Sequence, residues 1–341
     1  MPQDAYYYLY STWPDWSYFD HPPMVAWMLK AGTTLMGKSV LAIKLTDFLV
    51  SGFTFFLFYR LSLHFATTKQ AITATILFGS TLMLSVLSIN TTPDVPLLLC
   101  WTLTLILFYR AISQDHWYWW ALSGMLAGLA FDSKYTAVFL LAGMTGFLLI
   151  SPLHRHRLWS FKWLLLLIGF AIAISPVVYW NIVHEWASFR FQSAERASSI
   201  SALQLKPRFF AGHIGTQLLL LLPPLFVGLM ATQYRLVVQT IRSWQWPDTP
   251  TLFLLAFSLP MIFFFYGVST VYWVKLNWIM PAYLSAIILT VLHFPRPLIR
   301  WQIAFSVLLH IIVAIQIIAY PIRIKTDDTW VGWDTIREQV Q

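Results

Sequence analysis

The run WLLLLIGFAIAISPVVYW, residues 163–180, holds eighteen residues without a charge. Roughly 20 apolar residues let a helix cross a bilayer while satisfying its own backbone hydrogen bonds. The basic connection HRHRLWSFK (154–162) precedes it, and a longer segment mixing carboxylates, His and aromatics (181–208) follows. The pattern repeats along the chain. Comparable stretches near 40–60, 71–89, 95–112, 117–131, 135–151, 209–232, 250–267, 277–294 and 301–320 bring the expected spans to about ten. The less apolar segment PPMVAWMLKAGTTLM (22–36) carries Lys30 and starts on a Pro pair, so it reads as a helix lying along the interface.

Composition agrees. Of 341 residues, 58% are hydrophobic and 11% charged, and mean hydropathy is +0.64. A soluble domain carries roughly 25% charged residues, so this chain has too few to coat a globule. That excludes a disordered protein, a coiled coil, a disulfide scaffold and a typical cytosolic enzyme. The lone Cys100 allows no internal disulfide. The expected fold class is an all-α polytopic membrane protein.

If the connections alternate sides, one set holds Arg60, Lys69, Arg110, Arg155, Arg157, Lys162, Arg235, Arg242, Arg296 and Arg300, with only Asp115 and Asp248 as acids. Short basic connections mark the cytoplasmic face. The net charge of +8 is therefore a topology signal, and no nucleic-acid partner is expected. The other face carries segments 1–39 and 181–208 and nearly all the acids. Within the spans the strongest ionisable pair is Lys44 and Asp47, three residues apart and expected to neutralise each other on one helix face. A transporter is expected to place its ionisable groups near mid-membrane instead. The balance favours an enzyme with an extracytoplasmic site over a transporter.

Five clusters fall on that outer face: Gln3-Asp4-Ala5-Tyr6-Tyr7, Tyr18-Phe19-Asp20-His21-Pro22-Pro23, Thr92-Pro93-Asp94-Val95-Pro96, Asp132-Ser133-Lys134-Tyr135-Thr136, and Lys275-Leu276-Asn277-Trp278 with Pro281-Ala282-Tyr283. A further segment runs from Trp180-Asn181 through His184 to Gln192. At these residues the chain resembles the bacterial branch of the GT-C membrane glycosyltransferases, namely glycosyltransferase family 39. Its relatives include protein O-mannosyltransferase-like and aminoarabinose-transferase-like enzymes and the rhizobial lipopolysaccharide-core sugar transferases. The family pattern is an acidic pair before Ala-Tyr-Tyr, then Tyr-x-Asp-His-Pro-Pro, Thr-x-Asp-x-Pro-Leu, Ser-Lys-Tyr-Thr and Asn-Trp-x-x-Pro-Ala-Tyr. All five occur here in that order, the first altered, since Gln3 takes the first acidic position and Asp4 the second. The family has a helix before the acidic pair, which this chain is expected to lack. One transmembrane domain over residues 1–321 and a short extracytoplasmic tail at 322–341 are expected.

The resemblance implies transfer of a sugar from a polyprenyl-phosphate donor to a hydroxyl of a lipid, glycan or protein acceptor, with inversion, at the outer face of the bacterial inner membrane. Membrane lipids are then partners too. Such chemistry needs a carboxylate to accept the hydroxyl proton, cations to hold the departing phosphate, and an apolar groove for the polyprenyl tail. Asp4 is the first choice for the base, beside Tyr6, Tyr7 and Tyr8, whose rings suit a sugar. Asp94 is the second, as a partner or alternative base, although a helix start also favours an acid. Asp20 and His21, aimed by the Pro pair, suit acceptor or phosphate binding, with Tyr7, Tyr135, His184 and Asn277 as further contacts. Among Lys134, Arg190, Lys206, Arg208 and Lys275, the motif residues Lys134 and Lys275 are preferred for the phosphate. No cofactor is expected. A divalent metal is not favoured, because only Asp20, His21 and His184 offer themselves and their spacing is wrong for a compact site. The rivals are a lipid-linked-sugar transporter or flippase and, given the altered acidic pair, a non-catalytic relative that binds lipid-linked sugar.

Overall fold

In the computed structural model, residues 2–195, 204–293 and 297–322 are described. Arg296 and residues 323–341 of the expected tail lie outside them, as does the stretch 196–203. The described residues are helical throughout, with turns between. In chain order they form α1 (Pro2–Thr12), α2 (Met24–Met36), α3 (Val40–Ser62), α4 (Thr68–Gly79), α5 (Leu82–Ile89), α6 (Asp94–Gln114), α7 (Trp117–Phe131) and α8 (Val138–Ile150). Then follow α9 (Phe161–Val183), α10 (Ala187–Arg190), α11 (Pro207–Leu221), α12 (Pro223–Ser243), α13 (Thr249–Ala256), α14 (Leu259–Val268), α15 (Met280–His293) and α16 (Pro297–Ala319).

The ten apolar stretches are all helical, yet they are not ten straight crossings. Among the described residues five helices are long and apolar enough to cross a membrane, or up to seven if each of two bent pairs counts as one. The stretch 71–89 turns by 63° between α4 and α5, and 209–232 turns by 112° between α11 and α12. At the second break Leu222 sits at φ +68° and Pro223 and Pro224 follow. Proline brings no backbone N–H, so the hydrogen-bond ladder cannot run through. The stretches 117–131, 135–151 and 277–294 form shorter helices, and α7, α8 and α15 have 15, 13 and 14 residues. The expected interfacial segment forms α2, 13 residues long.

Helix α6 is the axis of the bundle. Trp101, Leu105 and Phe108 are fully buried at the centre of the hydrophobic core, packed with Trp120, Phe147, Phe253 and Phe257. Its first residue, Asp94, is thereby carried to one end of the core. Helix α7 lies so close to α9 that a Cβ on Gly124 would stand 1.9 Å from the Leu166 carbonyl oxygen, and one on Gly128 2.4 Å from Ala173 Cβ. These two glycines, four apart, act as the small-residue contact by which membrane helices approach each other. Their packing fixes the end of α7 and with it the turn Asp132-Ser133-Lys134. Local caps help: Ser39 accepts from Ala42 N–H, Ser160 from Trp163 N–H, and Thr67 with Gln70 forms a capping box.

The sequence expectation for Lys44 and Asp47 is corrected. Lys44 Nζ lies 2.6 Å from an oxygen of Asp4 on α1, and it also donates to the Ile89 carbonyl. Asp47 instead accepts from Thr91 Oγ1 at 2.5 Å. Both side chains are drawn across to neighbouring elements, because α1 and the turn after α5 offer closer partners than the same helix face.

Candidate active site

A cavity of about 510 Å³ opens at the end of the bundle where the five motif segments meet. Its walls include Gln3 and Tyr7 from α1, Asp20 and His21 from the loop before α2, and Val86 and Leu87 from α5. Opposite stand Asp94, Lys134, Tyr135, Lys275, Asn277 and Thr216.

The charged floor is built from three elements. Asp94, fully buried at the start of α6, accepts from Lys134 Nζ at 2.8 Å on Oδ1 and 3.0 Å on Oδ2, and from Asn277 Nδ2 at 2.6 Å on Oδ2. A carboxylate has about four lone-pair sites. Lys134 and Asn277 occupy three of them, one on Oδ1 and two on Oδ2. Lys275 lines the same cavity and is exposed.

Asp20 is fixed from the other side. Tyr6 Oη donates to its Oδ2 at 2.8 Å and Tyr10 Oη to its Oδ1 at 2.7 Å. His21 Nε2 stands 3.6 Å from Asp20 Oδ2. Burial, together with the charges of Lys134 and Lys275, pushes the His21 imidazole down to about 4 against the pull of Asp20 and Asp94. At neutral pH His21 is therefore uncharged, and positive charge in the cavity rests on lysine. Tyr135 Oη and Ser188 Oγ lie 2.6 Å apart and tie the wall to α10.

Of the ten residues singled out from the sequence, eight line this cavity: Tyr7, Asp20, His21, Asp94, Lys134, Tyr135, Lys275 and Asn277. Two do not. Asp4 is turned away, 6% exposed, held by Lys44 and by the Thr91 N–H at 3.0 Å. Burial works against its charge, but the bonds from Lys44 and Thr91 outweigh that and hold the carboxyl below its ordinary range. His184 is exposed and stacks on Trp180 at 4.0 Å, apart from Asp20 and His21. Arg190, Lys206 and Arg208 are likewise not among the cavity residues, whereas Lys134 and Lys275 are.

The geometry adds residues that sequence reading passed over. Gln3 takes the cavity position beside Asp4, its Oε1 accepting from Asn90 Nδ2 at 2.8 Å. Gln217, buried inside the apolar stretch 209–232, donates to the Leu276 carbonyl at 3.2 Å and accepts from Tyr283 Oη at 2.8 Å. It thereby holds the backbone next to Asn277. A lone amide within an apolar run was the legible signal for it. Behind the wall, Asp132 is fully buried, and neither carboxyl oxygen has a hydrogen-bond partner among the described residues.

The chain is similar to several known proteins. A sequence profile described as dolichyl-phosphate-mannose-protein mannosyltransferase matches residues 20–180. Two crystal structures of ArnT from Cupriavidus metallidurans superpose on nearly the whole chain. The apo form gives a TM-score of 0.65 at 15% identity, covering 99% of this chain and 63% of that one. The form bound to undecaprenyl phosphate gives 0.66 at 14% identity, covering 98% and 62%. The lipid A galacturonosyltransferase RgtD of Rhizobium johnstonii is similar to this chain as well, 23% identical over 292 residues. That alignment takes in 84% of this chain and 59% of RgtD, so the chain spans about three fifths of the length of the relatives it matches.

Proposed function

We propose that this chain is a GT-C glycosyltransferase, transferring a sugar from a polyprenyl-phosphate donor to a hydroxyl group of an envelope lipid, at the extracytoplasmic face of the bacterial inner membrane. The observation that carries the reading is the meeting of Asp94, Lys134, Lys275 and Asn277 with Asp20 and His21 in one cavity at the end of an apolar bundle. The ArnT structure bound to undecaprenyl phosphate and the lipid A substrate in the name of RgtD support the donor and acceptor classes.

In this reading the acceptor oxygen attacks the anomeric carbon from the side opposite the phosphate. The bond from carbon to phosphate oxygen breaks, and polyprenyl phosphate leaves. The hydroxyl proton passes to Asp94, whose Oδ1 accepts one hydrogen bond where Oδ2 accepts two. Lys134 and Lys275 stabilise the phosphate as it gains charge. Arrival of that phosphate competes with Asp94 for Lys134, which loosens the ion pair and raises the basicity of the carboxylate when a donor is present. Asp20 and the neutral His21 hydrogen-bond the acceptor, and Tyr7 offers an aromatic face to the sugar. Asp4, held by Lys44, braces α1 against the turn that carries Asp94.

The test is transfer in reconstituted membranes. A panel of polyprenyl-phosphate sugars is offered with lipid A and native lipid extracts, and mass spectrometry follows donor loss and product. Transfer abolished by Asp94→Asn supports the reading, and transfer that survives it overturns the assignment of the base. One observation favours a second reading, a non-catalytic binder of lipid-linked sugar: the cavity position of the altered acidic pair is an amide, Gln3, and its acidic neighbour is engaged elsewhere. Tight donor binding with no turnover against any acceptor favours that reading.

A further inference from the structure

Both bent helix pairs break at the same buried side chain. Gln302 on α16 is fully buried, with both the nitrogen and the oxygen of its amide engaged in hydrogen bonds. Its Nε2 donates to the Leu221 carbonyl at 2.9 Å and to Ser80 Oγ at 3.0 Å, and its Oε1 accepts from the Leu225 N–H at 3.1 Å. In an unbroken helix the N–H of residue 225 donates to the carbonyl of residue 221. The Gln302 carboxamide is spliced into that missing bond, where α11 turns into α12. Its second amide proton reaches Ser80, which caps the break between α4 and α5 and itself donates to the Leu77 carbonyl at 2.7 Å. Orientation of the amide is unambiguous, since a carbonyl must receive a donor and an N–H must find an acceptor. With no water in a hydrocarbon core, such groups need partners within the protein.

The rest of α16 has little to do with the core, for only 11% of its apolar window is buried. Its polar contribution is directed at the broken pairs. Two turns beyond Gln302, His310 Nε2 lies 2.7 Å from Ser85 Oγ on α5. Helices α5 and α11 pack on each other and run from their breaks to the cavity, which they line with Val86, Leu87 and Thr216. The groups suited to a phosphate, Lys134 and Lys275, lie on other elements.

We propose that Gln302 is a positioning residue that locks α5 onto α11 and so sets the width of the apolar side of the cavity, where the tail of the polyprenyl phosphate lies. The inference deepens the donor reading above and rests on it for the identity of the tail. It divides the site into a phosphate end that does not depend on Gln302 and a tail end that does.

The test uses the full chain in nanodiscs, with Cys100→Ser to clear the only native thiol and spin labels at Ile89→Cys on α5 and Leu219→Cys on α11. Both label positions are exposed, and neither lines the cavity. Pulsed electron paramagnetic resonance then compares Gln302 with Gln302→Leu. Equilibrium binding of undecaprenyl phosphate and of geranyl phosphate is measured on the unlabelled proteins. The expected result is a broader or longer label distance in Gln302→Leu. Affinity for undecaprenyl phosphate should fall roughly tenfold, the scale of one or two lost hydrogen bonds, with geranyl phosphate little changed. Should Gln302→Leu fail to fold, Ser80→Ala removes one arm only and is expected to shift both readouts the same way by less. An unchanged distance overturns the lock. A changed distance with equal loss of both ligands overturns the division of the site. Undecaprenyl phosphate ignored by the native protein overturns the donor reading and the tail assignment with it, while the distance measurement still reports on the lock.

Discussion

Lys134 Nζ stands 2.8 and 3.0 Å from the two oxygens of Asp94, and the pair is shut off from solvent on every side but the cavity. A buried pair of this kind is weak evidence for stability, because removing two charges from water offsets most of their attraction. Its placement at the meeting point of α6, the α7–α8 turn and Asn277 fits a chemical use better.

Asp94→Asn should lower sugar transfer by about 10²–10⁴-fold, the usual worth of a positioned proton acceptor. Binding of undecaprenyl phosphate should hold or tighten, since Lys134 no longer has a competing carboxylate. Lys134→Met should do the reverse and weaken donor binding. Single-turnover transfer and equilibrium binding on the same preparations separate the two effects, and undiminished transfer by Asp94→Asn would sink the proposed role.

Asp4 makes a different prediction from Asp94. Asp4→Asn keeps an acceptor for the Thr91 N–H but loses the charge facing Lys44, so about 1–3 kcal/mol of stability should go. Transfer per folded molecule should change little. Thermal melting and activity measured side by side decide the point: lost transfer at unchanged melting temperature would make Asp4 a catalytic group.

Those two aspartates show what the chain made legible and what it did not. Long, mostly apolar runs located the apolar helices of the described residues, because run length limits what can sit in hydrocarbon. The breaks escaped notice, since Gly79-Ser80-Thr81 leaves the hydropathy of 71–89 intact and the bend is held by Gln302 more than 200 residues away. The segments that converge were legible from their motifs. Which of two adjacent residues faces the cavity was not. Successive helical side chains point roughly 100° apart, and α1 is too mixed in polarity to show its inward face. Lys44 and Asp47 had the spacing of a pair, but Asp4 and Thr91, distant in sequence, lay closer in space.

His21 gives a pH signature. Its imidazole titrates near 4 in the folded chain against about 6.5 when unfolded. Between these values the unfolded chain binds more protons, so stability is complete above pH ~6.5 and is lost as pH falls towards 4. His21→Gln should flatten this part of the curve. Melting temperature followed across that window tests it, and an unchanged slope would show that His21 is not held neutral.

Asp132 has the opposite sign. Burial without a partner raises its carboxyl to about 8, against an ordinary value of 3.8. Between those limits the folded chain holds a proton that the unfolded chain has released. Stability is therefore greatest below pH ~4 as far as this group is concerned, and it declines as pH rises towards 8. Asp132→Asn places a neutral side chain of the same shape there and removes the cost of ionisation. The variant should match the native protein below pH ~4 and melt higher at pH ~8–9, with the gap widening as pH rises between those limits. A parallel offset at every pH would mean that the carboxyl is not the titrating group. Because Lys134 lies two residues along the same turn, donor binding at pH ~8–9 should also be better preserved in Asp132→Asn, as the turn is no longer strained by a buried charge.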